Sequence, residues 1–158
     1  LTGLVKKTES SRLMWDREIL NHFCAFRILE LKHYRTIDQF LAETLQHMNQ
    51  MAQSELAALA EEFERSMANN YLLFGNSAFK KGVRFNIGLF EVLSVGLANY
   101  DQGRIQRHSK LLKSRLNKLK QNKKFQLATS FDKKKAQLRE HVLIRFQMTR
   151  QILDEVMR

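Results

Sequence analysis

The chain has 158 residues, a formal net charge of +11, one cysteine and no proline. A single cysteine excludes an internal disulfide and any metal site built from several thiolates, and an apolar fraction of 44% is close to the globular norm. Six glycines without a proline supply too few turn residues for a strand-rich fold, so the composition predicts an all-α protein of one domain.

The charge excess is concentrated at the C-terminal end of the sequence. Residues 1–100 hold 11 basic and 11 acidic side chains, whereas residues 101–158 hold 16 basic and 5 acidic ones. Residues 104–124, RIQRHSKLLKSRLNKLKQNKK, contain nine Lys or Arg and no Asp or Glu. This asymmetry indicates a polyanion, or another acidic surface, as the partner of the C-terminal part.

The first half of the chain predicts three helices behind an N-terminal loop. Residues 1–14 are polar and mixed and are interpreted as a loop segment, and residues 15–158 as the helical domain. Apolar residues at three- and four-residue spacing predict a first helix over residues 15–32. Thr36 is a suitable N-cap for a second helix and Ser54 for a third, because their hydroxyl groups can accept from the first free backbone N–H groups.

A central apolar helix follows an irregular connection. Residues 74–86 carry two glycines and two asparagines, which is typical of a loop. Asn86 is predicted to cap a helix over residues 87–100, IGLFEVLSVGLANY, which is apolar nearly all round. A helix without a polar face is expected in the middle of a bundle. Its two glycines are expected to allow close approach of neighbouring helices.

The basic stretch and the C-terminus predict the remaining helices. Asp101 is expected to cap the basic helix, whose leucines and isoleucine fall on one side. A short segment over residues 125–129 follows, and Ser130 or Asp132 is expected to start a last long helix that ends near Val156. The fold class is therefore an all-α, single-domain bundle of about six or seven helices.

Few patterns in the sequence point to chemistry. The five histidines are scattered without metal-ligand spacing, and no glycine-rich loop has the order that cradles phosphates, so neither a metal nor another cofactor is predicted. Arg17 and His22 have the Arg-x-x-x-x-His spacing of small helical ribonucleases of the HEPN class, in which Arg can steady a phosphate while His moves a proton. Such pairs are common by chance in Arg-rich helical chains, and Glu18 beside the Arg opposes phosphate binding.

Five segments follow one another along the chain: DREILNHFCAF (16–26), IDQFLAETLQHM (37–48), YLLFGNSAFKK (71–81), RFNIGLFEVLSVGLA (84–98) and the closing Arg145-Phe146. In this order they resemble the helical region of one prokaryotic family, domain of unknown function 262. The resemblance covers roughly residues 12–150. The family includes restriction proteins of the GmrSD and SspE type, which act on foreign or modified DNA.

The resemblance implies a fragment of a larger protein rather than a complete enzyme. Family members begin with a ParB-like domain linked to nucleotide hydrolysis or nucleolytic chemistry, and many end in an HNH-type nuclease domain. Neither signature occurs in this sequence, so no catalytic residue of the family can be carried over. The chain begins at Leu1, which fits a fragment, and a complete parent could be a nucleotide-dependent nuclease.

The residues that match the family pattern are mostly structural. Aromatic residues in such motifs usually belong to a core, and Asn86 is explained as an N-cap. Arg84 and Glu91 are expected to pair with each other or to serve a site. The matching residues are Phe74, Gly75, Phe79, Arg84, Asn86, Phe90 and Glu91.

The basic helix is the candidate interface. Like charges three and four residues apart repel one another, and a phosphate backbone would relieve this repulsion and release counterions. Aromatic residues for base stacking are missing apart from Phe125, so backbone contact without sequence readout is expected. The candidate residues are Arg104, Arg107, Lys110, Lys113, Arg115, Lys118, Lys120, Lys123 and Lys124.

The sequence therefore predicts a non-catalytic helical module of a bacterial or archaeal restriction or anti-phage protein, which contacts DNA and packs on a ParB-like domain. The alternatives are a purely structural module that binds an acidic protein partner or a missing catalytic domain, and thirdly a helical ribonuclease. A cytoplasmic location without membrane contact is expected, because no run of about 18 apolar residues and no signal-peptide pattern occurs.

Overall fold

The computed structural model describes residues 9–158, with side chains described from Trp15 onward, and this part of the chain is an all-α bundle. The helices are α1 (Glu9–Ile28), α2 (Ile37–Asn49), α3 (Gln53–Phe74), α4 (Ile87–Leu97), α5 (Gln102–Gln121), α6 (Lys123–Ala128), α7 (Lys133–Ala136) and α8 (Arg139–Val156). The predicted fold class is confirmed. Within these residues no helix combines the length and the apolarity that a membrane crossing requires.

The first helix starts earlier and stops earlier than the sequence predicts. It begins at Glu9, inside the segment interpreted as a loop, because neither Gly nor Pro interrupts residues 9–14. It ends at Ile28, and a single 3₁₀ turn over Leu31–His33 replaces the last predicted turn. The first eight residues of the predicted loop lie outside the described part of the chain.

Local capping rules place most helix starts correctly. The side chains of Thr36, Asn86 and Asp101 accept hydrogen bonds from the backbone N–H groups three residues ahead, as expected of N-caps. The prediction for Ser54 is wrong, because α3 already begins at Gln53. The Glu55 carboxylate accepts from the backbone N–H of Ala52 at 3.3 Å, so a glutamate inside the first turn satisfies a free donor there.

Helix α4 is the central helix of the bundle, as its apolar sequence predicts. It packs against α1, α3 and α8, and eight of its eleven residues are buried. A Cβ atom added at Gly96 would lie 2.6 Å from Cδ1 of Leu153 on α8, closer than real contacts allow. The predicted role of this glycine in close helix approach is therefore confirmed.

Polar side chains of α3 hold the C-terminal end of α4. Ser66 donates to the carbonyl of Ser94, and Asn69 Nδ2 donates to the carbonyls of Leu97 (2.9 Å) and Tyr100 (2.8 Å). These carbonyls belong to or follow the last turn of α4, where intrahelical donors run out. The second half of α3 therefore places polar side chains on the inner face of the helix. The apolar spacing in its first half did not predict them.

The last predicted helix is divided in two, and residues 9–158 form eight α-helices where about six or seven were predicted. Asp132 caps the four-residue helix α7, accepting from the N–H groups of Lys134 and Lys135, and the long helix α8 begins only at Arg139. Leu138 lies between them with extended backbone and a half-exposed side chain, so the helix predicted through this position is interrupted here.

The loop predicted over residues 74–86 contains a two-stranded hairpin, β1 (Lys80–Lys81) and β2 (Arg84–Phe85). Lys81 pairs with Arg84, so the turn has two residues, Gly82 and Val83. Gly82 has φ of +62°, which suits the first central position of a tight hairpin turn. The hairpin carries Arg84 to the side of the bundle where residues 130–137 lie.

Candidate nucleic-acid interface

Helix α5 is amphipathic, with one buried side and one charged side. Ile105, Leu112, Leu116 and Leu119 are buried, and the helix packs against α3, α6 and α8. Leu111, expected beside this stripe, is 53% exposed instead. Asp101 orients the first turn by accepting from the N–H of Arg104 at 2.8 Å. The basic residues are therefore arranged around a firmly anchored helix rather than a free peptide.

Six of the nine candidate cations project from the surface as predicted. They are exposed, and none forms an ion pair with an acidic side chain anywhere in residues 15–158. Four follow the outer face of α5 and two lie in the first turn of α6, which starts immediately after it. The six residues, called the basic surface below, are Arg107, Lys110, Lys113, Lys118, Lys123 and Lys124.

Two of the other candidates are engaged by groups of this chain, Arg104 at a part-buried carbonyl and Arg115 in a surface ion pair. Arg104 donates to the carbonyl of Met157 and lies 5.2 Å from the ring centre of Tyr100. Arg115 forms an ion pair with Glu155 of α8. Both side chains fasten α5 to the C-terminal end of the bundle, and a phosphate would have to compete with these contacts. We therefore remove both from the candidate interface.

Lys120 is also drawn into the protein. Its Nζ lies 3.7 Å from the ring centre of Phe74. Burial, with a smaller contribution from the charge of Lys113, lowers the pKa of Lys120 to about 8. The face of the Phe74 ring attracts the ammonium group, which offsets part of the desolvation. This lysine packs at the junction of α3 and α5 and is not free to follow a phosphate backbone.

The remaining motif residues are structural, with one exception. Phe79 and Phe90 are buried and meet edge to face with their ring centres 5.0 Å apart, as expected of core residues. Gly75 follows α3 with φ of +56°, a conformation that favours glycine. Asn86 caps α4 and also donates to the carbonyl of Thr129 at 2.7 Å. The exception is Arg84, which is exposed.

The expected pairing of Arg84 with Glu91 is wrong. The guanidinium of Arg84 lies 4.3 Å from the ring centre of Phe131, whereas Glu91 is fully buried in α4. Glu91 pairs with Arg145 of α8 through Oε2 and with His22 Nδ1 of α1 through Oε1 at 2.7 Å. A glutamate at this position of α4 points into the bundle, away from the hairpin that carries Arg84.

The Glu91 cluster is a buried ionic network that joins three helices. Arg145 is completely buried and also donates to the carbonyls of Ala128 (3.0 Å) and Ala136. Burial alone would raise the pKa of Glu91, but the charge of Arg145 and the hydrogen bonds from His22 and Arg145 outweigh it and lower that pKa. Glu91 is therefore ionised at neutral pH. Arg145 connects α8 to α4 through Glu91, and to α6 and α7 through the carbonyls of Ala128 and Ala136.

The ribonuclease pairing is not assembled in this fold. Arg17 is exposed, whereas His22 is buried with Nδ1 held by Glu91. Five residues of α-helix turn by about 140° beyond one full turn, so the two side chains leave α1 on different sides. A phosphate steadied by Arg17 would be remote from the ring of His22.

Sequence reasoning missed a second group of cations. Lys133, Lys134 and Lys135 are exposed on α7, near the hairpin that carries Arg84. The run of three lysines is visible in the sequence, but the prediction placed it within one long C-terminal helix and did not treat it as a candidate site. The buried cluster had a weaker signal: an arginine within an apolar pattern, Arg145 between Val142 and Phe146. Among residues 15–158, no three His, Cys, Asp or Glu side chains come together as a metal site would require.

Comparisons of the chain with protein-family models, with curated proteins and with solved structures return no match.

Proposed function

We propose that this chain is a non-catalytic helical module that contacts the backbone of DNA through the basic surface. The observation that carries the proposal is the set of six exposed cations on α5 and α6 that lack acidic partners among the described residues. Each cation that meets a phosphate releases a condensed counterion, and this release favours binding without any reading of the bases. Phe125, the nearest aromatic residue in the sequence, is buried, which agrees with backbone contact rather than stacking.

The wider setting of the proposal comes from the family resemblance. A module of this kind would belong to a cytoplasmic restriction or anti-phage protein of a bacterium or archaeon, beside a catalytic ParB-like domain. The buried Glu91–Arg145 pair joins two of the matching segments, RFNIGLFEVLSVGLA and the closing Arg145-Phe146. The buried network explains them as scaffold, which fits a module without chemistry of its own.

A salt titration tests the DNA contact. Anisotropy of a labelled duplex is measured between 50 and 200 mM salt, for the wild type and for Arg107→Gln/Lys110→Gln/Lys118→Gln. Six phosphate contacts predict that log K falls with the logarithm of the salt concentration with a slope of roughly −5. The triple variant lacks three of these contacts, so its slope should be shallower by roughly 3. The matched control, Arg17→Gln/Arg35→Gln/Arg150→Gln, removes the same charge from exposed cations outside α5 and α6 that also lack acidic partners among the described residues.

Two outcomes would overturn the DNA proposal. The first is an absence of binding by the wild type at the lowest salt. The second is an equal loss in the test and control variants, since it would show that net charge rather than the basic surface is responsible.

A second candidate function is contact with an acidic protein surface. Leu111 on α5 and Leu127 on α6 are 53% and 67% exposed near the basic surface, and exposed leucines suit a protein partner better than a phosphate backbone. Under this alternative, Leu111→Ser/Leu127→Ser should abolish partner binding. The same variant should leave any DNA affinity within about twofold, since neither leucine carries charge.

A further inference from the structure

A cavity of about 670 Å³ opens beside the hairpin, on residues that the basic surface does not include. Its walls come from residues 15–22 of α1, the start of α2, β2 with the start of α4, and the segment around α7. The volume lies within the usual range of small-molecule sites, which is roughly 300 to 1,000 Å³. The side chains around it are divided by chemistry into three groups.

One wall of the cavity is cationic. Arg84, Lys133 and Lys134 line it, and none of them pairs with an acidic side chain among the described residues. Arg84 is held in place because its guanidinium lies over the Phe131 ring. A guanidinium fixed in this way retains its outward N–H groups, which match the oxygens of a phosphate.

Aromatic rings lie beside these cations. Phe131 lines the cavity and is 40% exposed. Trp15 and Phe85 also line it, with ring centres 4.9 Å apart at an angle of 69°. Aromatic faces at the edge of a cationic site are the features on which a planar base can stack.

The third group consists of hydrogen-bonding side chains. His22 lines the cavity although the residue is only 4% exposed. The Glu91 carboxylate accepts a hydrogen bond from Nδ1, so Nε2 is the ring nitrogen directed away from that partner. No other described residue bonds to the ring of His22. Glu18 and Asp38 also line the cavity and can accept from hydroxyl or amino groups.

We propose that this cavity binds a nucleoside phosphate. Arg84 and the two α7 lysines hold the phosphate, the aromatic side chains stack on the base, and the carboxylates and His22 bond to hydroxyl or amino groups. The same chemistry is offered by a free mononucleotide and by a nucleotide turned out of a DNA strand. Binding of a nucleotide turned out of DNA rests on the proposed DNA contact, whereas binding of a free mononucleotide is independent of that contact.

The test uses 2′-deoxynucleoside 5′-monophosphates as probes, titrated one at a time and followed by protein NMR, with inorganic phosphate as a further probe. We expect saturable shifts at residues of the cavity with at least one mononucleotide. Arg84→Gln and Phe131→Ala should each weaken that binding at least about tenfold, the size of one lost charged or stacking contact. Lys123→Gln/Lys124→Gln, which alters the basic surface alone, should bind as the wild type does.

Duplexes that carry 2-aminopurine show whether the bound nucleotide comes from DNA or from free solution, because the fluorescence of 2-aminopurine rises when the base leaves the stack. A rise with the wild type that Phe131→Ala abolishes assigns the cavity to a nucleotide of the DNA. Mononucleotide binding without such a rise assigns it to a free nucleotide. The inference fails if no mononucleotide binds, or if inorganic phosphate binds as tightly as every mononucleotide. Failure of DNA binding in the salt titration leaves the mononucleotide result unaffected, so the two proposals are separately testable.

Discussion

Replacement of Arg145 by methionine removes the positive member of the buried network while it keeps most of the side chain's length. Among the described residues, Glu91 would then remain a buried carboxylate with His22 as its only side-chain partner, and the carbonyls of Ala128 and Ala136 would lose their guanidinium donor. Breaking a buried ion pair by removal of one partner costs about 3–5 kcal/mol. Domains of this size unfold with about 5–15 kcal/mol, so the variant should lose a large share of its stability.

Urea unfolding followed by circular dichroism measures this loss. The control is Arg150→Met, an exposed arginine on the same helix, which should change the free energy of unfolding by less than about 0.5 kcal/mol. The double variant Arg145→Met/Glu91→Leu removes both charges, and it should be at least about 1 kcal/mol more stable than Arg145→Met. The reasoning is refuted if Arg145→Met costs less than about 1 kcal/mol, or if the double variant is the less stable of the two.

Two further predictions concern α4 and α5. Gly96→Ala forces a Cβ against Leu153 and should cost about 1–3 kcal/mol in the same unfolding assay. Gly103→Ala at the exposed start of α5, where the added Cβ would lie 3.3 Å from the exposed Asp101 carboxylate, should cost less; equal effects would contradict the close packing of α4 on α8. The Lys120 amino group should titrate near pH 8 by NMR, and a midpoint near 10.5 would contradict its burial against Phe74. Because the pKa of Lys120 is lowered in the folded state, the unfolded chain binds more protons, so the stability of the wild type relative to Lys120→Met should rise between pH 8 and 10.5.

The sequence predicts the elements of this fold wherever the physics is local. Asn86 and Asp101 cap their helices because an N-cap depends on residues within one turn. The central position of α4 follows from its composition, since a helix without a polar face must be covered by others. The division of the last helix at Leu138 was not predictable in this way, because the apolar spacing continues across it.

The candidate site was less predictable than the fold, because long side chains reach partners that periodicity does not identify. Lys120 belongs to a charged run, yet it turns back over Phe74, 46 positions earlier in the sequence. Arg145 occupies a position that a charge pattern assigns to the surface, and its partner Glu91 is 54 residues away. Such contacts depend on how the helices pack, so only the structure separates exposed cations from those used inside the bundle.

The most direct test of the central claim is a map of the DNA contact on the folded protein. Backbone amide shifts are recorded while an unlabelled duplex is titrated at low salt. The account predicts that the largest changes fall on the outer face of α5 and the first turn of α6, near Arg107, Lys110, Lys118 and Lys123, and that they disappear as salt is raised. Changes centred on α1 and α2, with α5 unaffected, would contradict it.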